Sequence, residues 1–266
     1  MACCMKGGGP MPQYERNFIT LTLLRADFAR GTFPLDAAPD EVLTAPLSDY
    51  PLRSATRKTK NEIRIEKTPQ GPVKDTRTLP FTEYSFLSAD KTRRFVLCSE
   101  YAFLEARGYL PHDEAIAELS AVIAAAKMRY PALKIARLGM RYVNNIRLPE
   151  ADAGPGLGAD FWKSYVNELL LGGLRFAAND GALARQMNSI ELNYGTDRAT
   201  VKYGIFNAEY PKPNRRREFI LDIDTFCQTP LEPEAVGAKL EDFHRAACSV
   251  FETAVTDALR HRMGAQ

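Results

Sequence analysis

"KIARLGMRYVNNIRLP", residues 134–149, decides how the rest of the chain is read. With a period of two it divides into two sets. Ala136, Leu138, Met140, Tyr142, Ile146 and Leu148 fall on one side, and Arg137, Gly139, Arg141, Val143, Asn145 and Arg147 on the other. Successive side chains of a strand point to opposite faces, so this is a strand with one apolar face and one face bearing three arginines. A single apolar face points to an antiparallel sheet covered by helices on one side, because parallel sheets bury both faces.

The alternation recurs on both sides of this strand. "NFITLTLLRADF" (17–28) and "EFILDIDTF" (218–226) read as strands. "FTEYSFLSADKTRRFVLCSEYAFLEARGY" (81–109) reads as a hairpin around the polar turn "SADKT", with Asp90 suited to left-handed backbone. "QMNSIELNYGTDRATVKYGIFN" (186–207) reads as a second hairpin, turning at Gly195-Thr196-Asp197. Helical spacing appears in 111–131, where Ile116, Leu119, Val122, Ile123 and Ala126 form a stripe behind an Asp113 cap. It appears again from Asp160 to Leu171, stopped by Gly172-Gly173, and from Pro233 to Arg262. Asp40 caps a short helix in "APDEVLTAPL".

The order is strand, irregular segment, hairpin, long helix, then strand, helix, hairpin, strand, long helix. The expected fold class is therefore α+β: a pseudo-duplicated antiparallel sheet with two long helices packed on one face. This shape resembles the saddle of TATA-binding-like folds. The expected organisation is a tail at 1–13 and one domain at 14–266, made of pseudo-repeats 14–131 and 132–266. Segment 53–77 has a different composition. It holds eight basic and three acidic residues, a net charge of +5, against +2 for the whole chain. It reads as exposed and mobile, with a short strand at Glu62 to Lys67.

The apolar fraction of 45% and charged fraction of 26% are those of an ordinary globular protein. A net charge of +2 is too small to mark the whole chain as a nucleic-acid binder. The five cysteines include no C-x-x-C pair, which argues against a zinc site. Their odd number, with no apolar leader in "MACCMKGGGPMP", points to a reducing, cytoplasmic setting. No run of about 18 apolar residues suggests a membrane span.

"FLSADKTRRFVLCSEYAFLEARGY", "RLGMRYVNNIRLP", "FILDIDTF" and "FHRAACSVFETAVTDALR" occur in the order found in a sporadically distributed prokaryotic family of uncharacterised proteins of about this length. The chain resembles that family from about Asn17 to Arg262. The resemblance implies a single domain and supplies no catalytic residue. The family's patchy distribution implies mobile defence or toxin–antitoxin loci. Neither segment 53–77 nor the "PNRRR" loop belongs to the shared pattern.

Chemistry is sparse. There is no G-x-S-x-G elbow and no H-E-x-x-H helix, and "KGGGP" (6–10) and "GPGLG" (154–158) lack the context of a phosphate loop. His112, His244 and His261 read as structural or surface residues; His244 and His261 are about 25 Å apart along one helix. No catalytic residue, metal or cofactor is expected. What remains is the polar sheet face. Arg137, Arg141, Asn145 and Arg147 should share it with Ser189, Glu191, Asn193, Lys202, Glu218, Asp222 and Asp224. Either these charges pair across strands, or the face holds a ligand. The expected function is a non-enzymatic binding protein, with Arg137, Arg141, Asn145, Arg147, Glu191, Lys202, Asp222 and Asp224 as the candidate ligand-binding set for a protein partner or an anionic ligand. The alternative is a nucleic-acid-binding module using Arg57, Lys58, Lys60, Arg215, Arg216 and Arg217. A further alternative, an enzyme with its site on the Arg/Asp/Glu face, ranks last because no general base has a recognisable partner.

Overall fold

A computed structural model of the chain describes residues 14–35, 37–68, 71–148, 158–176, 183–212 and 216–264. The strands are β1 (Ile19–Phe28), β2 (Leu52–Thr68), β3 (Gly71–Leu87), β4 (Arg93–Leu97), β5 (Tyr101–Arg107), β6 (Ile135–Arg147), β7 (Gln186–Tyr194), β8 (Asp197–Ile205) and β9 (Glu218–Cys227). All nine join one antiparallel sheet in the order β2-β3-β4-β5-β1-β6-β9-β8-β7. The helices are α1 (Glu41–Thr44), α2 (His112–Arg129), α3 (Ala159–Trp162), α4 (Gly172–Arg175), α5 (Val236–Ala254) and α6 (Asp257–Arg262). The α+β class expected from the alternation is the one observed.

Burial follows the period of two. Leu138, Met140, Tyr142 and Ile146 of β6 are buried, as are Leu24 of β1, Leu104 of β5 and Ile223 of β9. Their layer belongs to one core with Leu119 and Val122 of α2 and Leu240 and Phe243 of α5. Each such side chain contributes about 1.5–3 kcal/mol on burial, so this layer, not the charged face, carries the stability. Thr225 enters the core with its hydroxyl satisfied, donating to the Met140 carbonyl at 3.0 Å. No helix among the described residues is long and apolar enough to cross a membrane.

Several local expectations need correction. Segment 53–77 is not an irregular stretch with one short strand. It lies in the β2–β3 hairpin, whose two 17-residue strands pair continuously from Leu52–Leu87 to Thr68–Gly71. Charged and hydroxyl side chains dominate both faces of this ribbon, with Ile63 on one and Phe81 on the other, so hydrophobic alternation marks only a short part of it. In the β3–β4 turn the left-handed residue is Lys91 (φ 60), not Asp90. The Asp90 carboxylate instead accepts from the Ser88 hydroxyl and the Thr92 amide, which pulls its pKa down to about 2. Helix α2 starts at His112, and Pro111 takes the cap position expected of Asp113.

The helices expected at 160–171 and 233–262 are both broken, and by one contact. Val166 forms a β-bridge with Val255. Around it the Asn167 amide donates to the Ala254 carbonyl at 2.8 Å, and the Thr256 amide donates to the Tyr165 carbonyl at 3.1 Å. Val255 is thereby held extended, α5 ends, and Thr256 caps α6 through the Leu259 amide. The first of these segments becomes α3, a 3-10 turn at Glu168–Leu170 and α4. The 1–13 tail, "KGGGP" and most of "GPGLG" lie outside the described residues.

Candidate functional site

The site grows from four strands in register. Arg141 of β6 lies opposite Asp224 of β9, which lies opposite Thr200 of β8, which lies opposite Glu191 of β7. In the next row on the same face, Val143 is followed by Asp222, Lys202 and Ser189. The alternation that buries Leu138, Met140 and Tyr142 therefore sets these groups on the opposite face, around a groove of about 400 Å3. Six predicted residues line it: Arg137, Arg141, Glu191, Lys202, Asp222 and Asp224. Asn145 and Arg147 do not. They lie farther along β6, beside Glu218.

Most of the charge is already paired. Arg141 holds Asp222 by two bonds, Nε to Oδ1 and Nη2 to Oδ2, each 2.7 Å. The planar guanidinium suits this fork, and such bidentate pairs are the strong ones. Asp222 is only 8% exposed, so the pair also neutralises a nearly buried carboxylate. Arg137 reaches Asp224 at 3.5 Å and Asp27 at 3.9 Å, with its guanidinium 4.7 Å from the Phe226 ring centre. Gly139 leaves room for it: a Cβ there would sit 3.2 Å from the Arg137 Nη1 and 3.3 Å from Phe226. Burial raises the Asp224 pKa, opposed by the charges of Arg137 and Arg141. Arg147 pairs with Glu218, with Nε 2.8 Å from Oε1. The buried Asn145 Oδ1 has no hydrogen-bond partner among the described residues.

The three arginines that make residues 134–149 conspicuous thus all have carboxylate partners. The unpaired groups are elsewhere. Among the described residues, neither exposed Lys202 nor exposed Glu191 has an ion-pair partner within 4.0 Å, although Asp222 faces Lys202 across the ladder. The groove therefore offers one cation and one carboxylate diagonally across β7 and β8. Ser189 and Thr200 flank them.

The basic candidates separate. Lys58 pairs with Glu83 and Lys60 with Glu100, both at 2.8 Å, while Arg57 is exposed. Arg216 contacts Glu209 at 3.1 Å, and the Arg217 guanidinium lies 4.7 Å from the Phe161 ring centre. Arg215 lies outside the described residues. The ladder runs from Tyr84 through Leu97, Ala102 and Ala26 to Leu138, and the Thr68–Gly71 end of the β2–β3 pair lies beyond that row. Arg147 and Glu218 lie at the other end of the sheet, so the two basic segments do not converge.

Sequence reading missed one constellation. His112 and His244 stack with ring centres 3.8 Å apart and planes 4° apart, joining α2 to α5. The Tyr142 hydroxyl lies 3.1 Å from the His244 Nδ1, and the Cys248 sulfur lies 3.6 Å from its Nε2. Burial, reinforced by His112 and Arg245, lowers the His244 pKa to about 4, so the ring is neutral near pH 7. Burial raises the Cys248 thiol to about 11, which disfavours the thiolate a nucleophile needs. Among the described residues no three His, Cys, Asp or Glu side chains are placed to hold a metal ion together. Residues 112 and 244 meet only through helix packing, which no local spacing signals. No protein-family model matches the chain, and no curated protein matches it.

Proposed function

We infer that the chain is a non-enzymatic binding protein whose polar sheet face receives an anionic group of a protein partner or ligand. The observation that carries this is Lys202, a groove cation with no carboxylate within ion-pair distance among the described residues. The bidentate Arg141–Asp222 pair fixes the groove floor, so little side-chain ordering is left to oppose binding. Glu191, diagonal to Lys202, would meet a donor on the same partner and set its orientation.

The saddle of two pseudo-repeats, 14–131 and 132–266, belongs to this reading. It is supported by strand order, in which β1-β5-β4-β3 leads away from the centre as β6-β9-β8-β7 does on the other side. Helices α2 and α5 would be its two long helices. A cytoplasmic role within the prokaryotic family and its mobile loci is part of the same proposal.

Affinity capture on the native full-length chain, with retained proteins, nucleic acids and small molecules identified, is the test, run beside Lys202→Glu. At least one species should be held by the wild type and lost by the variant. Identical captured sets would overturn the assignment.

A further inference from the structure

The β2–β3 ribbon has two unlike faces. Only Tyr84 to Leu87 of β3 pairs with β4, so most of the ribbon extends past the sheet as two strands alone. Register and the period of two divide its residues. One face carries Lys58, Lys60, Glu62, Arg77, Asp75 and Glu83, so cations and carboxylates are matched. They pair with each other and with the body: Lys58 with Glu83, Arg77 with Asp75, Lys60 with Glu100, and Arg30 with Glu62 at 3.1 Å. Phe81 packs edge-on against Tyr101 on the same side. Among the described residues this face leans on the protein and its charges are paired.

The opposite face carries Arg53, Arg57 and Lys74, all exposed, and no carboxylate falls on it by register. None of the three has an ion-pair partner among the described residues. Between them lie the hydroxyls of Thr59, Thr76 and Thr78, the Asn61 amide and exposed Ile63. Lysine on a sheet edge usually serves to prevent edge-to-edge pairing. That role requires no confinement of the carboxylates to one face. It also requires no ribbon that outruns its sheet.

We propose that this face is a binding surface for the sugar-phosphate backbone of duplex nucleic acid. Cations without carboxylates displace counterions from phosphates, and hydroxyls and amides donate to phosphate oxygens. A two-stranded ribbon is also of a size that the major groove of B-form DNA admits. From Arg53 to the Ile65–Lys74 pair the row spans roughly 40 Å, about one turn of duplex. Contacts of this kind position the protein without reading sequence. The surface is independent of Lys202 and the groove.

Fluorescence anisotropy of the full chain with a labelled 20-base-pair DNA of random sequence tests the proposal. Binding is expected at 50 mM salt, with a log–log salt slope of about −3 for three phosphate contacts. Arg57→Glu combined with Lys74→Glu should weaken it at least tenfold. Arg77→Glu with Lys58→Glu, the same charge change on the other face, should weaken it less than threefold. Lys202→Glu should leave it unchanged. No duplex binding at 50 mM salt overturns the proposal, as does equal loss from both face variants. Binding only to single strands, or only to an acidic polypeptide, overturns it too. Circular dichroism of each variant separates lost binding from lost folding.

Discussion

Removing Arg141 should destabilise the fold more than removing its partner. Arg141 gives Asp222 two charge-assisted bonds of 2.7 Å, each of a kind that contributes about 1.5–3 kcal/mol. The Arg141 side chain is 38% exposed, so water screens part of that gain. Arg141→Met leaves a carboxylate only 11% exposed without its bidentate partner, with Lys202 across the ladder as a weaker substitute. We expect a loss of about 2 kcal/mol. Asp222→Asn leaves Arg141 directly opposite Asp224, so about 1 kcal/mol is expected. Urea unfolding of both variants and the double variant gives the coupling, expected at about 1 kcal/mol in 0.15 M salt. In thermal unfolding Arg141→Met should lower Tm by roughly 4–8 °C. If Asp222→Asn costs as much as Arg141→Met, or the coupling is within error of zero, the pair does not hold the groove floor.

Acid should weaken the α2–α5 junction. His244 is neutral in the fold with its pKa lowered to about 4, while the unfolded chain protonates it near 6.5. The unfolded state therefore binds more protons between those values, and stability falls as pH drops from about 6.5 to 4, by up to roughly 3 kcal/mol. Tyr142, His112, Cys248, Glu241 and Arg245 face or flank the pair, so the check is a comparison of urea midpoints at pH 7 and 4.5 for wild type and His244→Asn, whose decline should be shallower. Gly204→Ala should cost at least about 3 kcal/mol, because φ is +136° and a Cβ would lie 2.2 Å from the Gln186 carbonyl; an unchanged Tm would refute the clash. Phe243→Ala should cost about 3–5 kcal/mol by chemical denaturation, as the ring is 1% exposed between α5 and the sheet.

The groove was legible because strands announce their faces. Six charged residues on four strands could be set on one side by counting in twos, and the ladder then brought them together. What counting could not supply was pairing. Arg141 bonds diagonally to Asp222 and not to Asp224 opposite, so Lys202 emerges as the unpaired cation only once registers are known. The ribbon escaped notice because its faces differ in where the carboxylates fall, and cations on both faces hide that alternation. The helices at 160–171 and 233–262 misled for another reason. Each has good helical spacing alone, and the Val166–Val255 bridge overrides both. The histidine stack depends on two helices finding each other across 132 positions of chain.

The central ladder also bears on biosynthesis. Leu24 pairs with Met140, 116 positions later, whereas its other neighbour Leu104 is made sooner and sits on β5. A ribosome working at about 5–20 residues per second completes β5 several seconds before β6 is available. Through that interval β1 presents an open hydrogen-bonding edge to whatever chain is nearby. The only charges on it are Arg25 and Asp27, which bond each other at 2.6 Å and leave the edge nearly neutral. Arrested nascent chains ending before residue 135 should therefore associate through this edge with one another or with chaperones, and chains long enough to release Arg147 from the exit tunnel should lose that contact, because β6 then covers β1 and the open edge passes to β6 until β9 is made.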